Sequence, residues 1–293
     1  MTESPGSRRS EGDSTLDRLI RILGAFDAER STLSIAALAR RAAIPLPTAY
    51  RWVDRLTSAG LLERSDGDVR PGMKLWELAS RSSPGTSLRQ AAMPYMDDVQ
   101  AVLRQHTQIA VLDAHGVLVL ERLSARGAVP NQATIAGRMP TFTTSLGLVL
   151  MAFARRHVTE SFLADHAAEL GAPVGGPGHD AGPGNARGVV NPTEPELRLQ
   201  LAETRRQGWA SVDGQIDSES TGVAVPVLSP EGHAVAALGV VVPRSSEFRP
   251  GLAPMLLAAA RGISRALGPQ AAMPASDTVF PQHPPVALPG TGE

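Results

Sequence analysis

Residues 38–62 read LARRAAIPLPTAYRWVDRLTSAGLL, and this stretch decides the fold of the N-terminal part. Ser34 is a good N-cap for a short helix that buries Ile35, Leu38 and Ala39. Ala42–Ile44 is its turn. Pro45 and Pro47 lead into a further helix, and Pro47 suits a first turn, where no backbone N–H is needed. In that helix Ala49, Trp52, Val53 and Leu56 share an apolar face, while Thr48, Arg51, Arg55 and Ser58 fall opposite. Gly60 ends it. Upstream, Leu16, Leu19, Ile20, Leu23 and Phe26 form one face of an earlier helix. Downstream, Leu61–Arg64 and Val69–Leu75 flank the turn sequence Ser65–Asp68, which contains Asp-Gly. The order is helix, helix-turn-helix, two-stranded wing.

A helix of this kind enters the major groove with its N-terminal residues at base edges. Arg51 suits a guanine edge or a phosphate, and Thr48 and Tyr50 suit bases or phosphates. Arg64, Arg70 and Lys74 lie in or beside the wing, placed for backbone contact. From Ser34 to Lys74 seven bases face four acids, a local +3 in a chain of formal charge −1. Ser34, Pro47, Thr48, Tyr50, Arg51, Arg55, Arg64, Arg70 and Lys74 are the candidate DNA-binding residues. A helical protein-interaction module with a solvated Arg face is the other reading of the same pattern.

With 293 residues, 42% of them hydrophobic, the chain has room for two domains. It has no Cys, which excludes disulfides, a thiol nucleophile and any Cys-containing zinc site. No apolar run is long enough for a membrane span, and the N-terminus lacks a signal-peptide core, so a cytoplasmic location is expected. Lys74, the only lysine, follows Met73 rather than Gly, which excludes a P-loop. The expected organisation is a disordered leader at 1–14, a winged helix-turn-helix at 15–80, a linker helix at 81–106, an α+β domain at 107–268 and a Pro-rich disordered tail at 269–293. Ser87–His106 reads as a helix that Pro94 bends or interrupts. Its stripe of Leu88, Ala92, Met96, Val99 and Leu103 fits either pairing between subunits or packing on its own C-terminal domain. Ile109–Leu112 and Val117–Leu123 suit a hairpin, and Leu146–Phe153 a buried helix. Gly171–Gly188 reads as a loop. Thr193 with Glu196 forms a capping box for a helix ending at Gly208. Val223–Leu228 and Ala234–Val242 read as strands, and Ala253–Leu267 as the last helix. Trp76 is expected to pack the wing unit onto the connector.

Residues 38–62 and Arg70–Leu75 resemble the winged helix-turn-helix of the IclR family of bacterial transcription regulators. The resemblance continues through Gly137-Arg-Met-Pro-Thr-Phe-Thr-Thr-Ser-Leu-Gly147, Gly208-Trp-Ala-Ser, Val223–Val227 and Gly232–Leu238, and extends to about Leu267. It implies a GAF-like C-terminal domain that senses a small molecule, and a homodimer or dimer of dimers on pseudo-palindromic double-stranded operator DNA. It also implies an effector pocket near Arg138, Met139, Thr143, Thr144, Ser145, Asp213, Gln215, Gly222 and Gly239. The chain departs from the family pattern in having Phe142 for a usual His, Leu148 for a Lys, Gln215 for a Glu, and Gly222 and Gly239 for small polar residues. These departures remove charge, which points to a more apolar or neutral effector than a small dicarboxylate, or to a pocket that has lost its ligand. Close packing of strands is the other reading of the two glycines.

No catalytic constellation stands out. The seven His are dispersed, and no HExxH or Gly-x-Ser-x-Gly occurs. Gly176–Ala181 matches a dinucleotide fingerprint in letters only, since it follows no strand. No cofactor or metal is expected. A small-molecule-binding protein without DNA control, and then a metabolic enzyme, are the alternatives to a regulator.

Overall fold

The structure, a computed structural model, describes residues 14–27, 30–82, 84–131, 133–174, 189–214, 218–245 and 249–268. They fall into two compact units that divide between Ser82 and Ser83. The leader before Ser14, most of the 171–188 segment, Gln215 and the tail from 269 lie outside the described residues.

The first unit begins with α1 (Thr15–Gly24), capped by Ser14, whose hydroxyl accepts from the Asp17 amide while Asp17 returns a bond to the Ser14 amide. Ser14 therefore belongs to the folded unit. A short strand β1 (Leu33–Ser34) leads into α2 (Ile35–Arg41), where the Ser34 hydroxyl accepts from the Ala37 amide at 3.2 Å. The turn to α3 (Leu46–Ser58) places Ala43 at φ 51°, the left-handed region that a Cβ disfavours. Pro45 is the N-cap of α3, and Pro47 sits in its first turn. The wing is β2 (Leu62–Ser65) and β3 (Asp68–Pro71), joined by Asp66 and Gly67, both at positive φ, as a two-residue hairpin requires. β1 pairs with the outer side of β3 and closes a three-stranded sheet.

One core holds this unit together. Ile22, Leu38, Ala49, Val53, Leu56, Leu62 and Val69 are all buried in it. Ile22 replaces Leu16 and Ile20 at the centre of the α1 contact: those two are each 53% exposed, contrary to the apolar face drawn from the sequence. The second wing strand also stops earlier than expected. At Gly72 the chain passes so close to Gly60 that a Cβ would stand 2.2 Å from its carbonyl oxygen. Beyond this crossing Met73–Ser82 is a helix, α4. Trp76 on α4 is 65% exposed.

The second unit opens with α5 (Pro84–Leu103), which runs through Pro94 without ending. The sheet order is β6-β5-β4-β9-β8-β7, antiparallel throughout, with β4 (His106–Asp113), β5 (Gly116–Leu123), β6 (Arg138–Met139), β7 (Ala210–Asp213), β8 (Ser220–Leu228) and β9 (Ala234–Pro243). His106 belongs to β4 and not to the preceding helix, because Arg104 at φ 51° breaks α5 from the strand. On one face Val223, Val225, Leu238 and Val240 meet α5 and α9 (Arg249–Leu267). Leu88, Ala92, Met96, Val99 and Leu103 of α5 are all buried there, so the stripe is occupied by its own domain. On the other face Ala110, Ala224 and Ala237 meet α6 (Ser145–Phe153), α7 (Arg156–Asp165) and α8 (Glu194–Gln207). Both faces are covered, which explains why β8 and β9 are apolar almost without alternation. The Thr193–Glu196 capping box is present, and Gly208 ends α8 at φ 85°. Gly147 lets α6 lie against the preceding segment: a Cβ there would stand 1.9 Å from the Thr141 carbonyl oxygen.

Candidate functional site

Each unit carries its own site. In the first, the exposed side of α3 presents Tyr50, Arg51 and Arg55, with Thr48 half-buried at its start. Neither Arg51 nor Arg55 has an ion-pair partner among the described residues, and the first turn of α3 holds no acid. The positive end of the helix is thus unscreened. Arg40 on α2 is likewise exposed and unengaged.

The wing cations differ. Arg64 donates to Asp54 at 2.5 Å, Arg70 to Glu63 at 2.9 and 3.1 Å, and Lys74 to Glu77 at 2.8 Å. The Met73 amide and then Arg70 hold the Glu63 carboxyl below the usual range. Exposed pairs of this kind contribute little to stability. Ser34 is engaged as the cap of α2 and Pro47 sits in the first turn of α3, so both shape the helices rather than offer free groups. The cations among the predicted DNA-binding residues therefore divide into the unengaged Arg51 and Arg55 on α3 and the acid-paired Arg64, Arg70 and Lys74 around the wing.

In the second unit, the start of α6 lies over a pocket of about 470 Å³, counting the space at its open mouth. Its floor crosses the sheet from Gln108 on β4, through Val241 on β9 and Ser220 and Gly222 on β8, to Val212 on β7. Pro130 and Asn131 form one wall. Met139, Thr143, Thr144, Ser145 and Leu146 form the other. No charged side chain is among these described lining residues. Thr144 caps α6: its hydroxyl accepts from the Gly147 amide at 3.2 Å and donates to the Pro140 carbonyl at 2.7 Å. The amides of Ser145 and Leu146 are left without an intrahelical partner, as first-turn amides are. Thr143 and Ser145 are largely buried residues whose hydroxyls have no partner among the described residues and are not sealed off.

Of the residues expected near an effector, Met139, Thr143, Thr144, Ser145 and Gly222 line this one pocket. Arg138, Asp213 and Gly239 do not line the pocket. Arg138 on the edge strand β6 is tied bidentately to Asp113 at 2.7 Å for each bond. Burial raises the Asp113 carboxyl, but the bonds from Arg138 and the His115 amide outweigh it and hold the group low. Asp213 accepts from the Thr221 hydroxyl at 2.7 Å. At Gly239 a Cβ would stand 2.9 Å from Leu146 Cδ2, so that glycine serves the seating of α6 on the sheet. At Gly222 the nearest atom to a Cβ is the Ser145 hydroxyl at 3.0 Å, so its missing side chain leaves pocket space. Gln215 falls outside the described residues. Sequence reasoning missed Gln108, Pro130, Asn131, Val212, Ser220 and Val241, which only the folded sheet brings together. Among the described residues no helix is long and apolar enough to cross a membrane.

A winged helix-turn-helix with an unengaged basic recognition face, joined in one chain to an α+β unit with a small-molecule pocket, defines a ligand-sensing DNA-binding regulator. The family model described as the IclR helix-turn-helix domain matches residues 15–66, and that of the bacterial transcriptional regulator IclR C-terminal matches residues 83–172 and 189–265. Together they cover more than half of the chain, which belongs to the IclR family of transcriptional regulators and is not an enzyme. The Pca regulon regulatory protein of Pseudomonas putida is 26% identical over 260 residues, 86% of this chain and 84% of that one. The HTH-type transcriptional regulator XynR of Escherichia coli (strain K12) is 24% identical over 87% of this chain and 97% of its own length. Among solved structures, an IclR homolog from Microbacterium hydrocarbonoxydans complexed with 4-hydroxybenzoate is 42% identical. It covers 87% of this chain and 99% of its own, with a TM-score of 0.72.

Proposed function

We propose that this regulator binds operator DNA through α3 and the wing, and that its effector is a small aromatic monocarboxylic acid of the 4-hydroxybenzoate class. The observation that carries the effector reading is the chemistry of the pocket. An uncharged lining with apolar residues at Met139, Leu146, Val212 and Val241 suits a ring. The start of α6, with free first-turn amides beside the Thr143 and Ser145 hydroxyls, suits one carboxylate without a lysine or arginine. This reading keeps an apolar body for the effector and adds one carboxylate at its end. The 42% identical homolog complexed with 4-hydroxybenzoate supports the same class.

On the DNA, Arg51 reads a base edge, Thr48 and Tyr50 contact bases or phosphates, and Arg55 contacts the backbone. Arg64, Arg70 and Lys74 exchange their acidic partners for phosphates. The protein acts in the cytoplasm as a homodimer or dimer of dimers, so that two copies of α3 meet two half-sites. The exposed apolar residues Leu16 and Ile20 of α1, and Met73, Trp76 and Leu78 of α4, support self-association. An effector that prefers one arrangement of the paired subunits shifts operator affinity by that difference and no more.

The test is calorimetric titration of 4-hydroxybenzoate into the full chain. Saturable binding is expected, blocked by Gly222→Val, which fills the pocket, and unchanged within about twofold by Arg138→Ala, because Arg138 is bound to Asp113. No binding at millimolar ligand, or loss of binding in Arg138→Ala with wild-type folding, contradicts the effector reading.

A further inference from the structure

Gln108 is buried almost completely in the second unit, at 4% exposure. Its Oε1 accepts from Asn131 Nδ2 at 3.4 Å. Its Nε2 has no partner among the described residues, yet it is not one of the sealed orphan atoms, so it faces the open space of the pocket it lines. An amide donor held near an apolar cavity is costly unless a partner accepts from it.

The wall that holds this donor is built of backbone bonds to side chains. Gln105 Oε1 accepts from the Val129 amide at 3.0 Å. His106 Nε2 donates to the Val129 carbonyl at 2.6 Å, and its Nδ1 lies 2.9 Å from the Ser124 hydroxyl. Burial pushes the His106 pKa down, which favours the neutral ring; Nε2 then carries the proton and Nδ1 accepts from Ser124. Arg122 donates to the Asn131 carbonyl at 3.2 Å, and Asn131 Oδ1 accepts from the Ala133 amide at 3.0 Å. Asn131 is thereby fixed, and its Nδ2 turns the Gln108 amide so that the nitrogen is presented.

We propose that Gln108 is the specificity-determining residue for the second polar group of the effector. Its Nε2 donates to the ring hydroxyl oxygen of a 4-hydroxybenzoate-like acid whose carboxylate lies at the start of α6. This rests on the aromatic-acid reading of the pocket and adds the orientation of the ligand and the residue that selects for the hydroxyl. A buried donor that finds no acceptor discriminates against the ligand lacking one. His106 and Asn131 are positioning residues for this amide.

The experiment is titration of the full chain with 4-hydroxybenzoate, benzoate and 4-hydroxybenzamide, comparing wild type with Gln108→Leu and Gln108→Met. Thermal melts and DNA binding serve as folding controls. The wild type is expected to favour 4-hydroxybenzoate over benzoate by about tenfold or more. Whichever variant folds is expected to bring that ratio to about one, with benzoate affinity at or above its wild-type value. Three results overturn the assignment: a wild type that binds both acids equally, a folded variant that keeps the preference, or a variant that loses benzoate as severely as 4-hydroxybenzoate. The last places Gln108 at the carboxylate. Absence of binding by all three probes instead sinks the aromatic-acid reading beneath it.

Discussion

The two units use their polar residues in opposite ways. On α3 of the first unit Arg51 and Arg55 stand exposed and unengaged, with the fold resting on an apolar core behind them. In the second unit the polar residues of the site are themselves nearly buried: Gln108, Thr143, Thr144 and Ser145 are at most 8% exposed. The same difference recurs in charge, since the interface for a polyanion is cationic and the pocket lining is neutral. A surface that meets DNA is separable from the stability of its unit. A pocket floored by the central sheet is not, so substitutions there act on folding and binding together.

The largest effect that this contrast predicts is at Gly147. A Cβ directed at the Thr141 backbone forces α6 off the sheet, so Gly147→Ala is expected to cost roughly 3 kcal/mol in urea unfolding and to abolish effector binding. A stable Gly147→Ala protein that still binds ligand breaks the claim that pocket and core are one structure. Next comes Arg51→Ala, expected to weaken operator binding by about 2 kcal/mol while unfolding stays within about 0.5 kcal/mol of wild type. A large loss of stability there breaks the separability of the DNA face.

Two smaller effects sharpen the comparison. Ala43→Gly relieves a left-handed alanine in the turn between α2 and α3, and is expected to stabilise the first unit by about 0.5–1 kcal/mol, read from a denaturant midpoint at unchanged slope. Glu63→Gln frees Arg70 while keeping an acceptor for the Met73 amide. It is expected to tighten binding to any duplex by about two- to threefold, with a steeper salt dependence. No change in either places Arg70 away from the phosphates.

Most of the first unit was legible because its determinants are local. Ser34, Pro47 and the 3.6-residue spacing of Ala49, Val53 and Leu56 set α2 and α3 from short-range rules, and Asp66-Gly67 set the wing turn. The break after Pro71 was not legible, since it arises from the close approach of Gly72 to Gly60, and Val69–Leu75 alone reads as one strand. The stripe on α5 left two packings open because helical spacing states that a face is buried and not against what. The pocket was only half legible. Thr143, Thr144 and Ser145 belong to one contiguous segment, whereas Gln108, Ser220 and Val241 meet through strand order and Asn131 comes from the connection between β5 and β6. Arg138 stands outside the pocket because Asp113, 25 residues away in sequence, holds it on the edge strand.

The most direct test of the regulator account is a mobility shift of the purified full chain on the DNA upstream of its own gene. It would use excess competitor at two salt concentrations, with and without 4-hydroxybenzoate, beside Arg51→Ala. The account predicts a specific complex that weakens with salt, is lost in Arg51→Ala, and changes affinity with the ligand. A specific complex that survives Arg51→Ala and ignores the ligand would contradict it.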